Sequence, residues 1–141
     1  MKIAIVTDAW APQVNGVVTT LTRTSETLRS FGHEVSVVHP GAFRTFPCPS
    51  YPEIRLAWRP FSGVARRLEE IGPDRIHIAT EGPLGLAARR YCVRRRLRFT
   101  TSYHTQFPQY LRARAPVPLA VSFAFLRWFH GGAARTMVAT Q

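Results

Sequence analysis

Apolar and polar positions alternate along this chain in blocks that switch between two periods. Lys2-Ile3-Ala4-Ile5-Val6-Thr7 is a short apolar run that predicts a buried strand, and Asp8 to Gly16 breaks it with Pro12 and an Asn-Gly pair. Val17, Leu21, Leu28 and Phe31 then follow at helical spacing up to Gly32, a natural stop. Glu34–His39 predicts a second strand ending at Pro40-Gly41, so one strand–helix–strand unit is complete by residue 39. Residues 41–52 hold Pro47, Pro49 and Pro52 with Phe43, Phe46 and Tyr51, which reads as a loop with aromatic anchors. A short third strand is expected over Glu53–Ala57, then a helix over Phe61–Ile71 with Val64, Leu68 and Ile71 on one face. Gly72-Pro73 ends it, and Asp74–Ala79 alternates as a fourth strand. The helix expected from about Pro83 to Leu97 points Leu84, Ala87, Ala88, Tyr91 and Cys92 inward and its arginines mostly outward. Arg98–Tyr103 is a fifth strand, Pro118–Gly131 an almost wholly apolar and hence buried helix, and Thr136–Thr140 a sixth strand.

Strands alternating with helices in this way imply an α/β fold, a doubly wound and mostly parallel sheet with right-handed crossovers. Ligands in such sheets gather at the carboxyl ends of the strands. Three unusual loops fall at such ends: Asp8–Gly16, Thr80–Pro83 and Tyr103–Tyr110. With 141 residues, 45% of them hydrophobic, the chain is expected to form a single domain, 1–141. Its net charge of +11, carried by 18 arginines and Lys2, favours anionic partners without choosing among a lipid surface, a nucleotide and nucleic acid. Cys48 and Cys92 have neither a CxxC nor a Cys/His spacing, which argues against zinc and a disulfide framework and fits a reducing cytoplasm. No long apolar leader opens the chain, and Ser122 and Arg127 interrupt the most apolar stretch, Val117–Phe129, so no transmembrane helix is expected.

Several residues are candidates for chemistry. The chain lacks both G-x-G-x-x-G and G-x-x-x-x-G-K-[ST], which argues against a nicotinamide or flavin cofactor and against a P-loop. Asn15 and Gly16 stand where the first helix begins: Asn15 can cap free N–H groups and Gly16 lets an anion approach them, although a plain turn and cap explains the same pair. His104, just past the fifth strand and followed by Thr105 and Gln106, is placed to hydrogen-bond a substrate hydroxyl or exchange a proton with it. His33 and His130 read as ordinary helix-end residues, His39 and His77 as structural groups in strands, and no pair has metal spacing. Asp8 and Glu81 are the carboxylates of the strand-end loops, and each has two roles open, binding a sugar hydroxyl or capping a helix. Arg89, Arg90, Arg94 and Arg95 form either a solvated helix face or an aid to docking on anionic lipid. Without interleaved aromatics they make a poor nucleic-acid patch, and no nucleic-acid partner is expected.

Three segments, KIAIVTDAWAPQVNGVVTTL, DRIHIATEGPLGLAAR and TTSYHTQFPQYL, occur in an order that resembles the N-terminal domain of family 4 glycosyltransferases, especially the branch that transfers hexoses to lipid acceptors. The resemblance covers nearly the whole chain. It implies a Rossmann-like half of a GT-B enzyme, in which two such domains face each other across a cleft, and a retaining reaction with a nucleotide sugar as substrate and no metal or cofactor. It also implies that the chain holds the acceptor, a lipid or glycan, while Gly16 touches the donor diphosphate and His104 lies near the transferring sugar. GDP-mannose or a UDP-hexose is the expected donor. The family's donor-nucleotide domain, with its paired glutamates, is expected to lie outside these residues, leaving 1–141 inactive alone. A cytoplasmic enzyme, peripheral at the inner face of the membrane, is the corresponding expectation. The alternative is a non-enzymatic, basic Rossmann-like module that binds a membrane surface or a protein partner.

Overall fold

The apolar runs pair side by side as strands of one sheet, and the amphipathic segments cross over it as helices. The computed structural model describes residues 1–49, 51–104 and 117–138. In chain order these form β1 (Lys2–Val6), α1 (Gly16–Ser30), β2 (Glu34–Val38), a single 3-10 turn (Pro40–Ala42), β3 (Thr45–Cys48), β4 (Tyr51–Ala57), α2 (Phe61–Ile71), β5 (Arg75–Ile78), α3 (Pro83–Arg94), β6 (Phe99–Tyr103), α4 (Leu119–Gly131) and β7 (Arg135–Val138). Five strands make the central sheet in the order β2-β1-β5-β6-β7, and every pairing in it is parallel. The order reverses between β1 and β5, so the crevice where doubly wound sheets hold ligands opens beside the ends of those two strands.

Both faces of the sheet are covered, which is why its central strands read as continuous apolar runs. Ile5, Val35 and Ala79 pack against Leu21 of α1, with Ile3, Trp10, Val17, Leu28 and Val37 around them. On the other face Ala4, Val6, Ile76, Ile78 and Phe99 meet Val64 and Leu68 of α2, Leu84, Ala87, Ala88 and Cys92 of α3, and Phe129 of α4. Cys92 lies wholly inside this core, where burial pushes its thiol up to about 12. The thiol is therefore an apolar packing group there.

Three features differ from the sequence expectation. The proline-rich stretch read as a loop folds, with the expected third strand, into a separate antiparallel hairpin, β3–β4. A two-stranded ribbon has only edges, so Pro47 and Pro52, which lack an N–H, are tolerated inside its strands. Helix α3 stops at Arg94, with Arg96 in the left-handed region at φ 55°. The third difference is α4, expected to be buried because it is apolar all round: only Ser122, Leu126 and Phe129 are buried, while Val121 and Trp128 are more than half exposed. Among the described residues no helix is long and apolar enough to cross a membrane.

Gly85, in the first turn of α3, lies against the end of β5. A Cβ there would stand 1.8 Å from the Thr80 carbonyl oxygen. Gly85→Ala is expected to destabilise the fold by about 2 kcal/mol or more, because helix and strand must separate to admit the methyl group. Gly16→Ala, whose Cβ meets nothing within 4 Å, should unfold close to wild type in the same urea titrations.

Candidate active site at the carboxyl edge of the sheet

Because the five strands are parallel, the loops after β1, β5 and β6 emerge at one edge, and Asp8 ties the first two together. Its backbone N–H donates to Thr80 Oγ1 at 2.7 Å, and that hydroxyl donates back to Asp8 Oδ2 at 2.7 Å. The carboxylate also accepts from the N–H groups of Leu84 at 2.8 Å and Gly85 at 3.4 Å, in the first turn of α3. Asp8 thus has the capping role of the two open to it, since both carboxylate oxygens are engaged by the neighbouring loop. Burial pushes its carboxyl above the ordinary range, against hydrogen bonds that favour the charged form. Gly82 is part of the same fit, since a Cβ there would stand 2.4 Å from Asp8 Cγ.

At the start of α1 the expected cap is present. Asn15 is extended at φ −157°, and its Oδ1 accepts from the Val18 N–H at 3.0 Å. The first turn carries no acidic side chain, so the positive end of the helix is not neutralised from within it. Gly16 is exposed with open space where a Cβ would stand, so an anion has room to approach the first turn of α1, where Asn15 already accepts from the Val18 N–H.

Across the crevice, His104 follows β6 directly. Its Nε2 is buried and has no hydrogen-bond partner among the described residues. Burial lowers its proton affinity from the ordinary value, and the Glu81 carboxylate acts in the opposite direction. Glu81 in turn accepts a hydrogen bond from His130 Nε2 at 2.9 Å. His130 Nδ1 is 2.8 Å from Thr101 Oγ1, which is 2.9 Å from Thr136 Oγ1. His130 is therefore no ordinary helix-end residue: it reaches from the last turn of α4 into the strand-end loops. No spacing in the sequence joins residues 81, 101 and 130, so this group became visible only in the folded chain. Thr105 and Gln106 lie outside the described residues.

A sequence profile of Glycosyltransferase Family 4 matches residues 14–141. The chain belongs to glycosyltransferase family 4. Over 97% of its length this family 4 domain is 29% identical to a GDP-mannose-dependent alpha-mannosyltransferase of Corynebacterium glutamicum, and it covers 37% of that protein. A protein of the same name from Mycobacterium tuberculosis is 26% identical over 97% of the chain, which covers 41% of it. An alpha-monoglucosyldiacylglycerol synthase of Acholeplasma laidlawii is 30% identical over 78% of the chain, which covers 31% of it. The family 4 domain thus spans roughly a third to two fifths of these relatives.

The arginines of α3 have partners within the domain that the outward-facing reading lacked. Arg89 donates to the carbonyls of Phe129 and Trp128 at 3.0 and 2.9 Å, closing the end of α4, and lies 3.9 Å from the centre of the Trp128 ring. Arg90 lies over Phe61, and Arg95 pairs with Glu69 and lies over Tyr91. Only Arg94 of the four has no partner of these kinds among the described residues. Arg90, Arg94 and Arg95 are nonetheless exposed, so these contacts leave the lipid-docking role of the group open.

On the α1 side of β6, His77 bridges Thr100 Oγ1 at 2.8 Å and Ser102 Oγ at 2.7 Å. Burial, with the nearby His104 ring, lowers its pKa to about 4. The folded state therefore holds His77 neutral, whereas the unfolded chain takes up a proton below the ordinary histidine value. Stability is fully present above about pH 6.5 and falls as pH drops toward 4, by about 3 kcal/mol for this group. Urea titrations at pH 7 and pH 4.5 should show a smaller difference for His77→Gln than for wild type.

Proposed function

We propose that this family 4 domain is the acceptor-side half of a retaining glycosyltransferase that moves a hexose from a nucleotide sugar to a lipid or glycan acceptor. The observation that carries this reading is the pairing, at one edge of the sheet, of an open helix N-terminus at Gly16 with a buried imidazole nitrogen at His104 that has no hydrogen-bond partner among the described residues. Two relatives aligned over nearly the whole chain are named for GDP-mannose, which makes that the donor proposed here.

In this mechanism the donor diphosphate lies over the first turn of α1, where N–H groups and the helix dipole receive its charge. His104, kept neutral by burial, directs a hydrogen bond to the transferring sugar. That bond strengthens as the sugar gains positive character and the diphosphate departs, which lowers the barrier more than it tightens ground-state binding. The leaving phosphate takes the proton of the acceptor hydroxyl on the same face of the sugar, so configuration is retained. Glu81, together with Thr105 and Gln106, which follow His104 in the sequence, is proposed to receive acceptor or sugar hydroxyls. A second domain, implied by the resemblance to two-domain family 4 enzymes, is proposed to supply the other wall of the cleft and most nucleotide contacts, and 1–141 alone should show no turnover.

The test is a donor screen on the full-length enzyme. GDP-mannose should support transfer and UDP-hexoses should not. His104→Ala should lower kcat on the order of a hundredfold with little change in donor affinity or melting temperature. Gly16→Ala should instead weaken donor binding, since its methyl group occupies the space through which phosphate reaches the helix. Near-normal turnover by His104→Ala would remove the histidine from the reaction.

A lipid acceptor also needs the enzyme at a membrane surface, and α4 is the element best suited to meet it. Its exposed side presents Val121, Phe123 and Trp128 beside Arg127, and the helix has no acidic residue. Combined Val121→Glu and Arg127→Glu substitutions should reduce cosedimentation with phosphatidylglycerol vesicles several-fold. The same loss with Arg94→Glu alone would return the contact to α3.

A further inference from the structure

We propose that His130 is a positioning residue, which fixes the Glu81 carboxylate at the mouth of the site beside His104. The inference rests on the reading of His104 as the imidazole that meets the sugar. It starts from sheet register. Ile78, the last residue of β5, pairs with Thr101 on β6, so the turn that carries Glu81 and the end of β6 that leads into His104 emerge from adjacent parallel strands at the same edge of the sheet. The Glu81 side chain is joined there by His130 from α4, and both members of that pair are only about an eighth exposed.

The direction of the hydrogen bonds follows from what each group can do. A carboxylate only accepts, so His130 Nε2 must carry the proton. In the neutral ring Nδ1 then accepts from Thr101 Oγ1, and that hydroxyl accepts from Thr136. The chain Thr136–Thr101–His130–Glu81 is thus satisfied at every link, and it runs from the edge strand β7 to the carboxylate. Phe129 and Tyr103 hold the ring from the sides, with edge contacts at centroid distances of 5.1 and 6.1 Å. Such a ring has one orientation available, and Glu81 is held with it.

Among the described residues, the titratable groups that bear on His104 are Glu81 and His77, with Tyr103 preceding it on β6 and His130 bonded to Glu81. Burial holds His77 neutral in the folded domain near neutral pH. Glu81 is the one carboxylate among them. Its negative charge supports proton affinity at His104, and His130 determines where that charge stands. His130 itself touches neither substrate nor reacting atoms.

The experiment is an NMR titration of histidine side chains, labelled at Cε1, in the full-length protein. Glu81→Gln should lower the His104 midpoint on the order of half a pH unit, by removing the favourable charge. His130→Phe should lower it in the same direction, because the carboxylate is released from its position. His130→Gln, whose amide can still donate to Glu81, should restore most of the wild-type value, and Thr101→Val should give a smaller shift of the same sign in a variant that keeps the core shape. A purely structural role would lower melting temperatures and leave the His104 midpoint of the folded protein unchanged. That result, or a shift in Glu81→Gln without one in His130→Phe and Thr101→Val, would overturn the inference. The titration requires no turnover, so it fails or succeeds separately from the glycosyl-transfer reading.

Discussion

The carboxylate of Asp8 is the joint on which the carboxyl edge of this domain depends. It sits at the end of β1, beside the point where strand order reverses, and receives the first turn of α3 and the Thr80 hydroxyl at the end of β5. A helix start needs acceptors for N–H groups that its own turns cannot satisfy. Here a carboxylate from another strand supplies them, so a local requirement of α3 becomes a tertiary link between the two halves of the sheet. The absence of a Cβ at Gly82 and Gly85 is what permits the close approach, as side chains there would overlap Asp8 and the Thr80 carbonyl. This joint sets where the loop carrying Glu81 leaves the sheet.

From that loop outward the site is a set of imidazoles with different neighbours. His77 is closed between two hydroxyls on the α1 face and titrates far below the ordinary range. His130 lies between a carboxylate and a hydroxyl on the opposite face. His104 stands between these environments with a buried nitrogen for which no described group provides a partner. Buried polar atoms in native proteins are nearly always satisfied, so an exception among the described residues at the carboxyl edge of a doubly wound sheet is the kind of atom a ligand completes. The three rings are chemically equivalent, and position alone separates their roles.

Local patterning made much of this architecture legible. The runs at Lys2–Val6, Glu34–Val38 and Arg75–Ile78, the Asn15 cap and the Gly72 stop depend on neighbours within a few residues, and they stand close to where the sequence places them. The family resemblance, carried by three short motifs, holds for the same reason. What the sequence concealed depends on partners far along the chain. The hairpin β3–β4 uses prolines that read as loop formers, because their tolerance in a ribbon of edges is a tertiary fact. An apolar helix reads as buried, yet α4 lies at the margin of the layer and leaves Trp128 under an arginine from α3. Arg89 reads in the sequence as an outward-facing arginine and His130 as an ordinary helix-end residue, and both close contacts across forty or more residues of chain.

The central claim is that the Asp8 joint holds the strand-end loops in register, and amide hydrogen exchange tests it at the atoms concerned. Exchange at Leu84, Gly85 and Val6 should be measured in wild type, Asp8→Asn and Asp8→Ala under identical conditions. Wild type should protect all three amides strongly. Asp8→Ala should lose protection at Leu84 and Gly85 by an order of magnitude or more relative to Val6, as the first turn of α3 opens locally, while the asparagine variant keeps part of it. Equal loss at all three positions, or unchanged protection at Leu84 in the alanine variant, would contradict the account.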